Sequence, residues 1–354
     1  MRILDRYLGR WVLGGSLLAL AVLLALFTIF TMLDQLGDVG EGRYGLPEAI
    51  EYIALTTPRR VYELVPIATL LGSLLGLGVL AGHSELTVMR AAGVSTARIA
   101  LASLKAAGPL IVVGVLLSEL VVPRADDLAE SGRSIALTSS IALKTESGFW
   151  LRDGRRFVNV REVLPDRRLG EVHVYTLGED RRLVSALRAE QARPIDGGWH
   201  LDRVSESRLA EGRVEASTVD SISWDLRLDA DVADLAVLRP DRLSAAGLLR
   251  YVRFLRTNGQ DATPYELALW TKLMVPLSAA SLVLLAVPFV MGPLRSAGVG
   301  QRVLTGALIG VVFYILGQLT SQVGLVYGLP PFLGATLPTA VVLGLAVWML
   351  RRTG

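Results

Sequence analysis

The chain has 354 residues, 52% of them hydrophobic, with a formal net charge of +3. That balance is too apolar for an ordinary soluble protein and is the composition of an integral membrane protein. The basic residues form no patch interleaved with aromatics, which argues against a nucleic-acid surface. With no cysteine, a disulfide, a thiolate metal site and a thiol nucleophile are all excluded.

Arg2, Arg6 and Arg10 precede 23 uncharged residues, 11–33, which make a transmembrane helix with margin to tilt. No small-residue cleavage site follows it, so the segment is expected to be retained rather than removed as a signal peptide. Residues 34–60 are mixed, with helical character over 46–57, and end in Pro58-Arg59-Arg60. The second span covers 61–82, with Glu63 near its outer edge. A short stretch then runs from His83 to Arg98. Ser84 suits a helix start, Glu85 suits the positive helix N-terminus, and Gly93 suits the other end. Leu86, Met89 and Ala92 fall on one face at a spacing of three. The reading is a surface helix over 84–93. Since a span-to-span connection needs only a few polar residues, such a helix is either a grip for a soluble partner or an interfacial helix resting on headgroups. Residues 99–123 form a third span, with Lys105 and Glu119 placed to snorkel.

Composition then changes. Residues 124–262 are charge-rich and hold no run of span length. Ile222-Ser-Trp224-Asp-Leu226-Arg-Leu228 alternates apolar and polar as a half-buried strand does. Weaker alternation recurs over 157–163, 171–177, 183–192, 199–204 and 213–219. Turn signals separate these runs: Asp153-Gly154, Pro165-Asp166, Gly178-Glu-Asp180, Gly197-Gly198 and Glu211-Gly212. Short strands at this spacing imply an antiparallel sandwich or roll. A helix is expected from Ser244 to about Thr257, stopped by Asn258-Gly259.

Thr263-Pro264-Tyr265-Glu266 has the pattern of a capping box with proline at the first helical position. It leads into a fourth span, 273–294, and the loop 292–302 carries Arg295 and Arg302. Residues 303–350 are 48 positions without a charge, too many for one helix, and Gly328-Leu-Pro330-Pro331 divides them into spans at 303–323 and 332–350. The N-tail, the surface-helix loop with its flanks, the 292–302 loop and the C-tail hold ten lysines and arginines, against three in the opposite short loops. The positive-inside rule therefore puts both termini and the surface helix in the cytoplasm and the strand domain outside. The expected fold is an α-helical membrane protein with six transmembrane helices and an inserted all-β domain. Its divisions are 1–123, 124–262 and 263–354.

An enzyme is poorly supported. His83, His173 and His200 are scattered, and no HExxH, GxSxG or phosphate-binding loop is present. His173 and His200 lie in predicted strands and read as solvated or structural. Glu85 is the sharper candidate: a carboxylate at the head of a surface helix either contacts a partner through a charge-assisted bond or simply complements the helix dipole. Asp34, Arg59, Arg60, Glu63, Glu119, Arg124, Arg133 and Lys272 ring the outer ends of the spans. Snorkelling is the ordinary role for each, but Arg59, Arg60, Arg133 and Lys272 come from three segments and are able to meet an anionic headgroup if the bundle opens sideways. Phe27, Phe30, Met274, Phe313 and Leu316 either line an apolar cavity below them or serve as bundle core or lipid contact. Gln318 and Gln322, one turn apart, are expected to face protein or a cavity rather than lipid. Gly72-xxx-Gly76, Gly78-xxx-Gly82 and Gly306-xxx-Gly310 permit close helix packing.

Several motifs occur in order: Leu4-Asp-Arg-Tyr7, Asp34-Gln-Leu36, Leu70-Leu-Gly-Ser-Leu-Leu-Gly-Leu-Gly78, Ser84-Glu-Leu86, Ala92-Gly93, Thr257-Asn-Gly-Gln-Asp261, Gly292-Pro-Leu-Arg-Ser296 and Val326-Tyr-Gly-Leu-Pro-Pro331. With these, nearly the whole chain resembles the permease family of the bacterial lipopolysaccharide exporter (LptF/LptG), its LptG branch more than its LptF branch. The resemblance implies that the β domain is a periplasmic jellyroll and that the chain sits in the inner membrane of a Gram-negative bacterium. It implies an ATP-binding-cassette exporter in which the chain pairs with an LptF-like permease, two copies of a cytoplasmic LptB-like ATPase and a single-span LptC-like protein. Lipopolysaccharide would enter sideways from the outer leaflet and pass to a periplasmic bridge. Glu85, Leu86, Met89 and Arg90 would then belong to a coupling helix seated on the ATPase. Phe27, Phe30, Asp34, Arg59, Arg60, Arg133, Lys272, Met274, Phe313, Leu316 and Gln318 would face substrate. No cofactor is expected on this chain; ATP and magnesium would bind the ATPase. One departure stands out. Family members often carry lysines near the outer end of span one, where this chain has Thr31, Gly37 and Asp38.

Extracting acyl chain from a bilayer costs about 0.8 kcal/mol per CH₂, so an outside energy source fits a chain without a nucleotide motif. A lipoprotein-release permease usually has four spans rather than six. An envelope scaffold has no need of Glu85, and a secondary transporter needs mid-membrane ionisable residues that are not seen.

Overall fold

The computed structural model describes residues 2–138, 143–164, 168–180, 182–195, 198–210, 213–224, 240–294 and 297–353. The chain forms two compact units. One comprises Met1–Gly37, Ile53–Asp126 and Glu266–Gly354, and the other Asp38–Tyr52 and Asp127–Tyr265.

In chain order the first helices are α1 (Arg2–Leu36), α2 (Leu46–Gly82), the short α3 (Glu85–Ala91) and α4 (Thr96–Leu116). A π-helical turn, Leu117–Val121, leads into α5 (Val122–Thr138). Near the C-terminus come α7 (Thr263–Met291), α8 (Val299–Tyr327) and α9 (Pro331–Thr353). Among the described residues six helical stretches are long and apolar enough to cross a membrane, which makes the chain a helical membrane protein. Several exceed the expected spans. The 37 residues of α2 reach about 55 Å, against roughly 30 Å of hydrocarbon, because the helical character of 46–57 continues into the span without a break.

Helix α2 is the hub. Its Leu64, Val65, Ala68, Leu70, Leu71, Leu74, Leu77 and Leu80 are all buried. Glycines set the close approaches. A Cβ on Gly72 would collide with the Ser16 backbone, and one on Gly76 would collide with the Trp11 carbonyl, so α1 lies directly on α2. On the other side Gly306 and Gly310 of α8 meet Leu71, Leu74 and Ile67. Both expected small-residue pairs thus lie at helix contacts. The Gly78-xxx-Gly82 pair instead underlies a side chain, the buried Arg302, whose Nε donates to the Leu294 carbonyl at 3.4 Å.

In the second unit six described strands form one antiparallel sheet: β1 (Leu143–Asp153), β2 (Arg156–Leu164), β3 (Arg168–Leu177), β4 (Leu183–Ile195), β5 (Gly198–Ala210) and β6 (Arg213–Trp224). Each pairs with its neighbour in sequence. The inserted β domain is as expected, but among the described residues its connectivity is a meander, without the crossovers of a jellyroll or sandwich. The strand expected over 222–228 is described only to Trp224; Asp225 to Leu228 lie outside the described residues, as does Arg295.

Alternation works as the sequence suggested. Val158, Val160, Val172, Val174, Ala189, Trp199, Leu201 and Val204 are buried on one face of the sheet. They are covered there by Tyr251, Val252 and Leu255 of α6 (Ala245–Thr257). Ser244 caps α6 by accepting from the Gly247 amide, and Gly259 takes the left-handed conformation that ends it (φ +64°). Gly154 turns β1 into β2 (φ +58°). The start of α7 differs in detail from a Thr263 cap: the Thr263 amide and hydroxyl both donate to Asp261 Oδ1, at 2.9 and 2.5 Å. A carboxylate accepts two donors at once, which holds Asp261 below the usual carboxylate range.

Candidate functional site

Two clusters lie at opposite ends of the spans in the first unit. The first surrounds α3. The linker between α2 and α3 is only His83 and Ser84, so the chain must turn sharply, and Ser84 takes a left-handed conformation (φ 59°, ψ 9°). In that conformation its side chain makes no cap, contrary to the sequence expectation. The other end matches: Gly93, at φ +89°, donates to the Arg90 carbonyl, and Val94 donates to Met89. Leu86 is buried in a core that includes Leu8, Leu77, Leu80 and Ile99, with Leu4 and Met89 packed against it. Ala92 is exposed rather than sharing that face, because the helix ends at Ala91. Val88 and Arg90 also point outward.

Glu85 is held from the side by a residue the sequence did not single out. Its Oε2 accepts from the Tyr7 hydroxyl at 2.7 Å, and Oε1 lies 3.9 Å from His83 Nδ1. Two residues before Tyr7, Asp5 accepts from Arg98 at 3.2 and 3.3 Å and lies 4.0 Å from Lys105. Tyr7 and Asp5 both fall in the Leu4–Tyr7 motif, yet no periodicity or spacing pointed from them to residues more than 70 positions away.

The second cluster is a set of ion pairs. Arg59 bonds Glu63 at 2.8 Å and Asp126 at 3.4 Å, and Arg60 bonds Glu63 at 2.9 Å. Lys272, with 12% of its side chain exposed, pairs with Glu119 at 3.2 Å. Lys272 also donates to the Ser118 carbonyl at 3.1 Å, within the π-helical turn. Tyr62 donates to the Lys272 carbonyl at 3.0 Å. Asp126, only 3% exposed, is the member the sequence reading missed. Arg133, in the second unit, pairs with Asp38 at 2.5 Å. Asp38 thus supplies a carboxylate for an arginine just beyond the end of α1.

The apolar candidates divide. Phe27 and Phe30 are exposed on α1, and Asp34 is exposed near its end. Met274 and Leu316 are half-buried, and Phe313 packs against the core that surrounds α2. Gln318 is exposed on α8 and donates to the Tyr314 hydroxyl at 3.1 Å. Gln322 is exposed as well. Both glutamines therefore lie on the side of α8 that this chain leaves uncovered.

The arrangement of six spans, an inserted antiparallel sheet and a short helix after the second span is matched along the whole chain. A sequence profile described as "Lipopolysaccharide export system permease LptF/LptG" covers residues 6–352. The chain belongs to this family. Among curated relatives, the lipopolysaccharide export system permease protein LptG of Escherichia coli (strain K12) is 39% identical over 353 residues, covering 99% of this chain and 98% of that protein. The protein of the same name from Haemophilus influenzae is 35% identical over 351 residues, covering 99% of this chain and 98% of that protein.

Proposed function

We propose that the chain is the LptG-type permease subunit of a lipopolysaccharide exporter. It removes the lipid from the outer leaflet of the inner membrane and passes it to a periplasmic bridge, with the energy supplied by a separate ATPase. The observation that carries this reading is the full-length family match together with a span-to-span helix that is anchored in the bundle on one side and exposed on the other. Val88 and Arg90 of α3 are exposed, while Leu86 anchors the helix in the bundle. A helix built in this way transmits force from a docked protein better than one that merely floats on headgroups. In this reading α3 is the coupling helix and Glu85, Leu86, Met89 and Arg90 form its working end. Two LptB-like ATPase copies hold ATP and magnesium, an LptF-like permease completes the passage, and an LptC-like single-span protein packs near α1. Both termini and α3 face the cytoplasm, and the β domain faces the periplasm.

Phe27, Phe30, Met274, Phe313, Leu316 and Gln318 serve the acyl-chain side of the passage. Asp34, Arg59, Arg60, Arg133 and Lys272 serve the headgroup side. Each of those cations already has a carboxylate partner. A lipid phosphate therefore binds by exchange, displacing Glu63, Asp38 or Glu119, rather than by filling an empty positive site. Exchange keeps the cations from binding every passing phospholipid tightly.

The deciding experiment purifies the chain under native conditions and reconstitutes whatever accompanies it. Recovery of an ATPase and a second six-span permease, with ATP-driven release of lipopolysaccharide that Glu85→Ala abolishes, is the expected result. Normal release with Glu85→Ala would overturn the coupling reading. Release driven by nucleotide from this chain alone would overturn the division of labour. A photo-crosslinker at Phe27 or Phe313 is expected to capture lipopolysaccharide; capture of bulk phospholipid only would remove the cavity assignment.

A further inference from the structure

The tie between α1 and α3 has a consequence for how a push is distributed. In sequence α3 is joined only to α2 and α4, through Ser84 and the turn at Ala92–Ser95. Yet the hydroxyl of Tyr7, on the second turn of α1, donates to the carboxylate of Glu85 at 2.7 Å. Below this bond, Leu4 and Leu8 of α1 pack in the same apolar core as Leu86 of α3. Asp5 fastens the same stretch of α1 to α4 through Arg98. The first two turns of α1 are thus bound to both flanks of the surface helix, by polar bonds outside and apolar contact inside. From Tyr7, α1 continues as an unbroken helix to Leu36. An α-helix rises 1.5 Å per residue, so Phe27 and Phe30 stand about 30–35 Å along one stiff rod from the Glu85 carboxylate.

We propose that Tyr7 is a positioning residue for Glu85. Its hydroxyl fixes one carboxylate oxygen while the other, 3.9 Å from His83 Nδ1, stays within reach of a partner, and it links the motion of α3 to α1 and so to the exposed face that carries Phe27 and Phe30. This rests on the reading of α3 as a coupling helix.

Tyr7→Phe is the informative change because it keeps the ring and its packing and removes only the donor. In the full reconstituted complex with lipopolysaccharide as probe, the quantity to read is lipid released per ATP hydrolysed at saturating ATP. A hydrogen bond to a charged group is among the stronger kinds, so the expected loss is about tenfold in that ratio, with the complex still assembled and hydrolysing ATP. In a Glu85→Ala background, Tyr7→Phe is expected to add nothing, since its acceptor is gone. An unchanged ratio in Tyr7→Phe, with Glu85→Ala damaging, would overturn this inference alone. A parallel fall in assembly, hydrolysis and release would reduce Tyr7 to ordinary packing and overturn it as well. A silent Glu85→Ala would overturn both this inference and the coupling reading beneath it.

Discussion

Helices α2 and α8 are both long apolar spans, and the chain treats them oppositely. Most of α2 is enclosed, with leucines, Thr69 and Ser73 alike out of reach of solvent. On α8, Leu304, Leu308, Val311, Tyr314, Ile315 and Leu319 are exposed, and the buried positions are Arg302, Gly306, Gly310 and Gly324. Hydropathy therefore says that a helix crosses the membrane and nothing about its neighbours. In lipid there is no hydrophobic drive to bury one leucine rather than another; what brings helices together is close backbone contact. The glycines mark that contact, and α8 has one such seam where α2 has several.

The largest effect should come from the tightest of these seams. Gly72→Val places a branched side chain where the Ser16 backbone already lies. Neither backbone is able to yield, so the cost is expected to be about 3 kcal/mol or more, seen as a collapse in monodisperse yield and a large drop in Tm in detergent. A near-normal Tm would mean that α1 does not rest on α2 as described.

How much of this was legible follows from the same physics. The spans, the β insertion, the turn at Gly154 and the stop at Gly93 are local properties of composition and backbone conformation, and the sequence carries them directly. Glycine pairs are legible as contacts, but their partners are not: nothing in Gly78-xxx-Gly82 says that it receives Arg302 rather than a helix. At the site, Glu85 stood out because it is the only carboxylate of a short polar segment. Tyr7 did not, because a tyrosine near the start of a span is an ordinary interfacial residue and its partner lies 78 positions away. The outer cations were legible as charges but not as ion pairs.

Next in size is the Lys272–Glu119 pair, enclosed by the helices that flank α2's outer end. Lys272→Ala is expected to cost about 1–2 kcal/mol, since it removes a cation from beside a partly enclosed carboxylate. Adding Glu119→Ala should restore part of the loss, because the carboxylate that lost this cation is then gone as well. Equal, additive losses in the two single variants would indicate that the residues do not interact.

A finer cut separates three glycines that look alike in sequence. Gly310→Ala meets Ile67 Cγ2 at 3.2 Å, and Gly78→Ala meets the Arg302 side chain from 2.6 Å. Both neighbours are side chains able to shift, so each change should cost less than Gly72→Ala, on the order of 1 kcal/mol. Gly317 has nothing within 4 Å of a built Cβ. Gly317→Ala should leave the Tm of the isolated chain unchanged or raise it slightly, through the better helix propensity of alanine. If it weakens capture of a second permease while sparing the Tm, the open face of α8 is the side that meets that partner.

The contrast between enclosed and open groups extends to the β unit, where it predicts the smallest effect, a pH dependence. His173 lies on β3, with its Nε2 buried and without a hydrogen-bond partner among the described residues, and its ring stacks on Tyr175. Burial, reinforced by the charges of Arg161 and Arg188 and opposed by Glu171, pushes its pKa below the ordinary histidine value. The unfolded chain, with a pKa of about 6.5, then binds a proton more readily than the folded one. The stability due to a neutral His173 is complete above that value and declines as pH falls below it. Asp202 behaves differently: the Arg193 guanidinium holds its pKa below the usual carboxylate range. Its contribution is present above the ordinary carboxylate pKa and is lost only in stronger acid, so its loss begins at a lower pH than that of His173. Unfolding of the full chain followed by tryptophan fluorescence should show a modest loss that sets in as pH falls below about 6.5. His173→Phe keeps a ring against Tyr175 and should flatten that step while leaving the more acidic one. If the step persists in His173→Phe, the titrating group lies elsewhere in the chain and the buried nitrogen of β3 carries no proton linkage.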